Sequence, residues 1–470
     1  MPGPTAAPPH GGALLEQVFS IPLEEGKFLV YAPLKGIAFI ANPALVNAIT
    51  DQCRAQNPEK PNGSDLEFLH QLGFFSPEPI LADEYAEQGV VYDTVVLFLT
   101  NQCNLRCSYC YASSGDFMPK MMSWEVAKAA VDRVMGDVVA RGANEMTLGF
   151  HGGGEPTMNW EILTRITDYA CEKAAENGLA LHVSGAFNGY WSSGVREYIL
   201  SRFTDVSLSF DGLPDVQNRQ RPAAGNKASF DRVAETLVAL DQSDVSYGIR
   251  MTVTRDHVAR LAESVAYICD HFRPIKIQAE PVFLEGRAKE EHAVDDSGMF
   301  VEQFITAHRV ATRHGIDFFY SGARPDVTVL RFCLAACRAL VVTADGDVVT
   351  CFESYGKEHP LSARYIVGGY RGGGEFLVDR DKLDAHFSRT ADSIPYCQGC
   401  FCRWHCAGDC AIKASVAGRA NEFAPTGRCV ITQELTKYLI LDKIRGSGGL
   451  VWQRNADFNE KPQQEFAHER

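Results

Sequence analysis

Three cysteines set close together constrain this chain more than any other feature. Cys103, Cys107 and Cys110 form the spacing C-x3-C-x2-C, and they follow an apolar, strand-like run, Val95–Leu99. Three thiolates at such a spacing can bind three corners of a 4Fe–4S cluster and leave the fourth iron open to another ligand. Structural zinc usually takes four ligands in paired C-x2-C units, and no fourth partner lies nearby. A zinc knuckle and three buried thiols remain the alternatives.

Length and charge narrow the class of protein. A chain of 470 residues is too long for one ordinary domain, so two or three are expected. The formal net charge is −14, and no block rich in lysine or arginine is present. This balance argues against nucleic acid or an anionic membrane as the main partner. The start of the chain lacks the basic and apolar parts of a signal peptide, and no apolar run could span a bilayer, so we expect a cytoplasmic protein.

The chain has 15 cysteines, and most of them lie in two zones, 103–110 and 333–429. Disulfides are unlikely to form in a reducing compartment, so clustered cysteines indicate metal binding. Cys53, Cys171 and Cys269 stand apart from both zones. Each lies in a predicted helix, where a small buried apolar role is expected.

Residues 1–19 are expected to form a disordered tail, and residues 20–90 a small separate unit. Within this unit, Leu34-Lys35-Gly36 separates two strand-like runs and indicates a hairpin. Asn42 and Pro43 then predict a helix start. The unit weakly resembles the winged-helix-like leader-binding domains fused to peptide-modifying enzymes. An N-terminal extension without such a role is the alternative.

From residue 93 to about 320 strands and amphipathic helices alternate, which predicts parallel βα units. The strand candidates are 95–99, 146–150, 180–184, 206–210, 247–253 and 275–280. In βα folds the chemistry lies at the carboxyl ends of the strands. Periodicity fades between about 325 and 430. A helix is predicted over Val430–Arg445, and residues 446–470 read as a polar tail.

A second motif, His151-Gly-Gly-Gly-Glu155-Pro156, follows the second strand. Together with C-x3-C-x2-C it resembles the signature of the radical S-adenosylmethionine (radical SAM) superfamily. The resemblance implies a partial (β/α)6 barrel of the TIM type over 93–320, and S-adenosylmethionine on the open iron. It also implies cofactor contacts at the strand ends, carried to Tyr109, Gly152, Gly153, Gly154, Glu155, Asn188, Ser209 and Arg250. For Tyr109, packing at the end of the sheet is the alternative. Asp211 is a candidate catalytic residue that could equally cap a turn.

The second cysteine zone contains Cys397-x2-Cys400-x5-Cys406-x3-Cys410, followed by Cys429. This spacing resembles the SPASM extension of radical SAM proteins, which carries two auxiliary 4Fe–4S clusters, and we assign it to residues 325–445. The crossed pattern of the family gives the first auxiliary cluster to Cys337, Cys351 and Cys410, with Cys333 as its fourth candidate. The second cluster would then be bound by Cys397, Cys400, Cys406 and Cys429. Cys402 remains unassigned, as an inert thiol or an alternative ligand.

These resemblances predict an enzyme with three 4Fe–4S clusters that modifies a ribosomally made precursor peptide by a carbon–carbon or thioether crosslink. The expected partners are the precursor peptide and a flavodoxin- or ferredoxin-like electron donor. An anaerobic sulfatase maturase is the nearest rival, although its motif lies closer to the N-terminus. In that family an aspartate follows the cysteine equivalent to Cys351, whereas Phe352 and Glu353 follow it here. Glu353 is a candidate substitute for that base. A small-molecule dehydrogenase and a non-catalytic iron–sulfur electron carrier are the further alternatives.

Overall fold

The computed structural model describes residues 12–15, 17–54, 63–416 and 422–454. In chain order the strands are β1 (Gly12–Leu15), β2 (Val18–Pro22), β3 (Phe28–Ala32), β4 (Ile37–Ala41), β5 (Thr94–Leu97), β6 (Glu145–Phe150), β7 (Ala180–Phe187), β8 (Asp205–Ser209), β9 (Ser246–Val253), β10 (Lys276–Pro281), β11 (Asp317–Phe319), β12 (Ala339–Val342), β13 (Asp347–Val349), β14 (Ile366–Gly372), β15 (Glu375–Val378) and β16 (Val451–Gln453).

The helices, also in chain order, are α1 (Pro43–Arg54), α2 (Ser64–Gln71), α3 (Glu84–Gln88), α4 (Trp124–Ala140), α5 (Trp160–Glu176), α6 (Ser193–Arg202), α7 (Pro214–Gln220), α8 (Phe230–Asp241), α9 (Arg255–Val258), α10 (Leu261–His271), α11 (Ser297–Arg313), α12 (Ala335–Arg338), α13 (Ser362–Tyr365), α14 (Arg380–Phe387), α15 (Arg403–Cys406), α16 (Ala411–Ala414) and α17 (Arg428–Gly446). Among the described residues, none of these helices combines the length and the apolar character that crossing a membrane requires.

The described residues fall into two compact units. The small-sheet unit contains the described residues up to Asp83, the segment Gly322–Phe332 and the described residues from Arg389 onward. The parallel-sheet unit contains Glu84–Ser321 and Cys333–Ser388. The two cysteine zones of the sequence are therefore distributed over both units.

The parallel-sheet unit is built on one sheet with the strand order β11-β10-β9-β8-β7-β6-β5-β12-β13-β14-β15. Strands β5 to β11 run parallel in chain order, and β12 adds to β5 in the same direction. The last three strands are antiparallel. The prediction of a parallel α/β sheet is thus confirmed, and all six strand candidates form strands. Their closure into a partial barrel stays a prediction.

Parallel strands that follow one another in the chain place their carboxyl ends at one edge of the sheet. The loops that begin at residues 98, 151, 188, 210 and 282 therefore all start at this edge. Strand β5 is buried along its whole length, and α4 covers it with an apolar face that includes Val131 and Val134. This core fixes the loops that carry the sequence motifs.

Two features of the parallel-sheet unit depart from the sequence pattern. A short helix, α9, precedes α10, and Ala259 and Arg260 separate the two. Strands β12 to β15 occupy the stretch in which the periodicity of the sequence fades. There, Val341 and Val349 pack with Val96 and Phe98 in an apolar cluster. Strands of three to seven residues are too short to show a clear period.

The small-sheet unit contains an antiparallel sheet with the strand order β1-β2-β3-β4-β16. The predicted hairpin joins β3 to β4, and Gly36 takes a positive φ of 61° in its turn. Asn42 caps α1, since its side-chain oxygen accepts a hydrogen bond from the Leu45 backbone N–H at 2.8 Å. Strands β1 and β16, together with the start of β2, lie in segments that were predicted as tails. Residues 1–11, 16 and 455–470 of these tails fall outside the described residues.

The two faces of the small sheet are covered by different partners. One face packs against α1 and α2 through residues such as Val30, Phe39 and Leu66. The other face packs against the second cysteine zone and α17 through an apolar cluster that contains Phe19, Leu29, Tyr31, Phe401, Cys402, Cys406, Ile440, Ile444 and Trp452. The N-terminal strands are therefore part of the core that supports the cysteines.

Candidate active site

The cysteines of the first motif lie in the loop that follows β5. Cys103, Cys107 and Cys110 belong to one apolar cluster, together with Leu105 and Tyr109. Burial raises the pKa of Cys103 to about 12, and the charges of the neighbouring Cys107 and Cys110 thiols act in the same direction. Burial likewise raises the pKa of Cys107 to about 11. Mutual repulsion shows that the thiols face one another, and metal binding would have to displace their protons.

A buried polar network holds this loop to the ends of β8 and β9. The Tyr109 hydroxyl donates to Asp211 Oδ2 at 2.6 Å, and Arg221 Nη1 donates to the same hydroxyl at 2.7 Å. Gln220 Nε2 also donates to Asp211 Oδ2, and the Thr252 backbone N–H donates to Asp211 Oδ1 at 3.1 Å. Both carboxylate oxygens of Asp211 are thus used within the protein, and the side chain is fully buried.

The glycines after β6 run directly against the cysteine loop. A Cβ at Gly154 would collide with the backbone carbonyl oxygens of Thr100 and Gln102. Gly152 has a φ of +124°, and a Cβ there would overlap the Phe98 ring. Only glycine allows this approach, which leaves backbone groups exposed to a ligand.

Glu155 ends the glycine run and is buried, with a relative exposure of 2%. Its Oε2 accepts a hydrogen bond from the Asn188 backbone N–H at 2.8 Å, and its Oε1 accepts from Thr157 Oγ1 at 2.8 Å and from Trp191 Nε1 at 3.3 Å. Burial raises the pKa of Glu155, while these donors act in the opposite direction. The carboxylate is therefore held in one orientation.

Asn188 links this glutamate to the cysteine loop. The Asn188 Oδ1 atom accepts from the Tyr190 backbone N–H at 2.9 Å, which fixes the orientation of the amide. Its Nδ2 then donates to Asn104 Oδ1 at 2.7 Å and approaches Cys103 Sγ at 3.6 Å. Such donors to a cysteine sulfur influence the properties of a cluster bound there.

The next two strands bring Ser209 and Arg250 side by side, since these residues are partners in the pairing of β8 with β9. Arg250 Nη1 lies 3.3 Å from His151 Nε2. The His151 ring stacks on Phe352 with 5.0 Å between ring centroids, and its Nδ1 accepts from the Gly152 backbone N–H at 2.8 Å. Burial, and then Arg250, lower the pKa of His151 to about 3. His151 is therefore neutral at neutral pH.

The segment after Cys351 reaches the same loops. A Cβ at Gly153 would lie 2.8 Å from Tyr355 Cβ, and the Tyr355 and Tyr111 rings are 6.1 Å apart. The Tyr111 hydroxyl donates to the Gly152 carbonyl at 3.0 Å. Burial raises the pKa of Tyr111, with further contributions from the charges of Glu353, Cys110 and Cys351. Cys351 and Glu353 therefore lie close to the first cysteine group.

The second cysteine group lies in the small-sheet unit. Burial raises the pKa of Cys397 to about 12, and the thiols of Cys400 and Cys429 raise it further. Burial also raises the pKa of Cys406, as do the charges of Asp409 and then of the same three cysteines. The four cysteines assigned to one auxiliary cluster thus face one another. Cys429 lies in the first turn of α17.

Two neighbours modify this second group. Gln433 Nε2 approaches Cys400 Sγ at 3.6 Å. Cys402 is buried, with an exposure of 1%, and its interaction with Cys400 is the main reason that the pKa of Cys400 falls to about 7. Cys402 therefore acts on a neighbouring thiol of the group.

The remaining four candidates are divided between the units: Cys333, Cys337 and Cys351 belong to the parallel-sheet unit and Cys410 to the small-sheet unit. Their joint ligation of a cluster stays a prediction. Within the described parts of the chain, no three His, Cys, Asp or Glu side chains converge as ligands of a single metal ion. The thiolates of a 4Fe–4S cluster differ from such a set because each binds a different iron.

Comparison with known families decides the nature of the first site. Residues 97–264 match the radical SAM superfamily. This segment is a radical SAM domain. It contains all three cysteines of the first group, the glycine run with Glu155, and the residues from the next three strand ends.

Individual proteins and solved structures are also similar to this chain. The sporulation killing factor maturation protein SkfB of Bacillus subtilis is 26% identical over 264 residues, which are 54% of this chain and 59% of SkfB. The structure of anSMEcpe with bound AdoMet has a TM-score of 0.59 at 16% identity, covering 78% of this chain and 96% of that one. The structure of Streptococcus suis SuiB bound to precursor peptide SuiA has a TM-score of 0.52 at 13% identity, covering 88% and 99%.

The two structural matches show a shared fold. The chain spans little more than half the length of the curated relatives that it matches. These relatives and neighbours include SPASM-type peptide-modifying enzymes, in agreement with the resemblance found in the sequence.

Around the radical SAM site, the structure adds residues that the motifs did not indicate. His151 precedes the glycine run, yet its contact with Arg250 requires β6 and β9 to be placed in one sheet. Phe352 and Tyr355 lie about 200 residues farther along the chain. Their only sequence signal is their position just after a predicted cluster cysteine.

Proposed function

We propose that the protein is a radical SAM maturase that removes a hydrogen from a ribosomally made precursor peptide and joins two of its side chains. The bond would be a carbon–carbon or thioether crosslink. The enzyme would carry S-adenosylmethionine and three 4Fe–4S clusters, and it would receive electrons from a flavodoxin- or ferredoxin-like donor.

The first cysteine group fits a cluster with one open iron, because the buried thiol of Cys107 and the half-buried thiols of Cys103 and Cys110 lie in the loop against which the glycine run packs. S-adenosylmethionine bound there would supply a carbon radical that abstracts hydrogen. Glu155 and the glycines Gly152, Gly153 and Gly154 would hold its amino group. Ser209 and Arg250 would reach its ribose and carboxylate. Asn188 and Tyr109 would act beside the cofactor, since their polar atoms already hold the cysteine loop.

One observation carries the proposal: the chain has a second group of four cysteines close enough to raise one another's pKa, in a unit separate from the proposed S-adenosylmethionine site. Crosslinking two side chains removes two hydrogens and two electrons from the peptide. One electron leaves with the abstracted hydrogen atom, and the other needs an acceptor. An auxiliary cluster bound by Cys397, Cys400, Cys406 and Cys429 would serve this purpose. The names of SkfB, a maturation protein, and of the SuiB complex with a precursor peptide agree with a peptide substrate.

The small sheet is our candidate for binding the leader part of that peptide. Its outer strands are β1 and β16, and an extended peptide can add to such an edge as a further strand. Deleting residues 1–90 would also remove the apolar partners of Cys402 and Cys406, so truncation would not isolate leader binding. Hydrogen exchange of the full-length protein is a better test. Addition of the leader peptide should protect backbone amides of one outer strand, and unchanged exchange in both would contradict this role.

The direct test uses the reduced, reconstituted protein with S-adenosylmethionine and short peptides encoded beside its gene. We expect 5′-deoxyadenosine together with a peptide that has lost the mass of two hydrogens. Formation of 5′-deoxyadenosine with no change in any such peptide would contradict the maturase proposal.

Formylglycine formation on a sulfatase is the second candidate, because the fold of anSMEcpe gives a TM-score of 0.59. A sulfatase-derived peptide with a cysteine or serine at the target position distinguishes the two. The maturase proposal predicts no oxidation of this peptide. Conversion of its cysteine or serine to an aldehyde would favour the second candidate.

A further inference from the structure

A buried pair of titratable side chains lies beside the radical SAM site and is not among the residues proposed to bind the cofactor or the clusters. Glu285 follows β10 by four residues and so belongs to the loops at the carboxyl edge of the sheet. Its Oε1 lies 2.6 Å from His359 Nε2. The side chain of His359 is fully buried, and that of Glu285 is 12% exposed.

The hydrogen bonds of His359 fix the arrangement of this pair. The Leu361 backbone N–H donates to His359 Nδ1 at 3.0 Å, so the ring proton is left to Nε2, which faces Glu285. The second carboxylate oxygen, Glu285 Oε2, is buried and has no hydrogen-bond partner among the described residues. A buried, unpartnered carboxylate oxygen is costly, and a ligand that supplies a proton or a donor would relieve this cost.

The pair adjoins both loops of the S-adenosylmethionine site. A Cβ at Gly286 would collide with the carbonyl oxygens of Cys110 and Tyr111, and the Arg287 backbone N–H donates to the Cys110 carbonyl at 2.9 Å. On the other side, the Tyr355 ring meets the His359 ring edge-on at 5.4 Å, and the same tyrosine abuts Gly153.

Other carboxylates near this site are already used. Asp211 accepts hydrogen bonds with both oxygens, and so does Glu155. Glu353 acts on Tyr111 and has further interactions within the protein. Glu285 differs because one of its oxygens lies 2.6 Å from His359 Nε2, while the other has no hydrogen-bond partner among the described residues.

We propose that Glu285, oriented by His359, is the base that accepts the proton released by the peptide during oxidative crosslinking. This inference rests on the proposed function. When bound, S-adenosylmethionine would supply the radical that takes one hydrogen atom from a peptide C–H bond, after which the two side chains would join. Glu285 would accept the second hydrogen as a proton, and its electron would go to the proposed oxidised 4Fe–4S cluster of Cys397, Cys400, Cys406 and Cys429. The peptide therefore loses two hydrogens in all.

The groups that face Glu285 are His359 and Tyr355. The charge of Glu285 helps to raise the pKa of Tyr355 to about 12, as do Glu358 and Cys110, although burial is the main cause. Arg287 is turned away from the pair, toward Asp116 and the Ser114 carbonyl.

The test compares Glu285→Gln with Glu358→Gln in the holoenzyme. Glu358 lies in the same segment as His359 but pairs with Lys120 at 2.7 Å, so its substitution is a matched control. We expect Glu285→Gln to bind the peptide and form 5′-deoxyadenosine nearly as the parent does. Its yield of crosslinked peptide per 5′-deoxyadenosine formed should fall on the order of a hundredfold. Formate should partly restore crosslinking in Glu285→Ala, which a merely structural role would not produce.

Three results would overturn the inference: unchanged crosslinking in Glu285→Gln, an equal loss in Glu358→Gln, or weaker peptide binding that accounts for the whole loss. Fluorescence anisotropy of a labelled peptide measures this binding independently of turnover. Failure of the parent enzyme to crosslink any peptide would instead contradict the proposed function, so the two failures are distinguishable.

Discussion

The two cysteine groups are built in different ways. Cys103, Cys107 and Cys110 lie in one short loop, where a polar network and a glycine run hold them at the edge of a parallel sheet. The second group is spread over residues 397–429, from a cysteine-rich loop to the start of α17. Apolar packing against the small sheet holds Cys406 and its neighbour Cys402.

This difference indicates different tasks. Three thiols beside the glycine run would leave room for a small molecule at the proposed cluster, and polar contacts hold the loop in place. Four thiols, with Cys406 in an apolar cluster, would complete the ligation of the proposed second cluster. The first group suits chemistry on a bound cofactor, and the second suits electron transfer.

The largest expected effect is the loss of S-adenosylmethionine cleavage when the first cysteine group alone is removed. Replacing Cys103, Cys107 and Cys110 by alanine should abolish S-adenosylmethionine cleavage and leave roughly two-thirds of the iron, because two of the three proposed clusters remain. Iron analysis and 5′-deoxyadenosine measurement check this. Cys171→Ala is the control, since this cysteine lies in α5, away from both groups in the sequence. Loss of all the iron from the triple variant would show that the two groups depend on each other.

A smaller effect tests the glycine run as the feature that distinguishes the first group. Gly154→Ala should weaken S-adenosylmethionine binding by at least about tenfold, because the new methyl group would push the loop away from the Thr100 and Gln102 carbonyls. Gly136→Ala is the matched control. No heavy atom lies within 4 Å of its added Cβ in α4. It should leave the binding constant unchanged and stabilise the helix by about 0.5–1 kcal/mol. Equal binding constants for both variants would contradict a role of the glycine run in binding S-adenosylmethionine.

The smallest effect concerns acid sensitivity at the first site. The pKa of His151 is lowered to about 3 in the folded protein, whereas an unfolded histidine titrates near pH 6.5. The contribution of His151 to the free energy of unfolding is therefore complete above about pH 6.5. It decreases as the pH is lowered, because the unfolded chain then binds a proton that the folded chain does not bind. Between pH 7 and 5.5 this should cost about 1 kcal/mol. His151→Gln should remove that part of the decrease in melting temperature. An unchanged decrease would mean that His151 does not titrate in this way.

Much of the parallel-sheet unit follows from local patterns. The six βα repeats and the motifs at their ends were predictable because buried parallel strands and amphipathic helices have distinct periods. The spacing of the cysteines also indicated both groups, because the proposed ligands of each cluster lie close together in the sequence.

Contacts between distant segments could not be predicted. The pairing of β16 with β4 joins residues about 410 positions apart, and nothing in a three-residue strand indicates its partner. The Glu285–His359 pair likewise arises from two loops whose meeting depends on the whole sheet. The hydrogen bond between Tyr109 and Asp211 also joins two loops that are about 100 residues apart in the chain.

The central claim is that the two cysteine groups divide the reaction between them. The most direct measurement is the ratio of crosslinked peptide to 5′-deoxyadenosine in Cys406→Ala, with EPR spectroscopy confirming that the cluster at Cys103, Cys107 and Cys110 is intact. The division of tasks predicts that 5′-deoxyadenosine formation persists while the ratio falls sharply. A parallel decrease of both products, with the first cluster intact, would show that the second group only stabilises the fold and would contradict the claim.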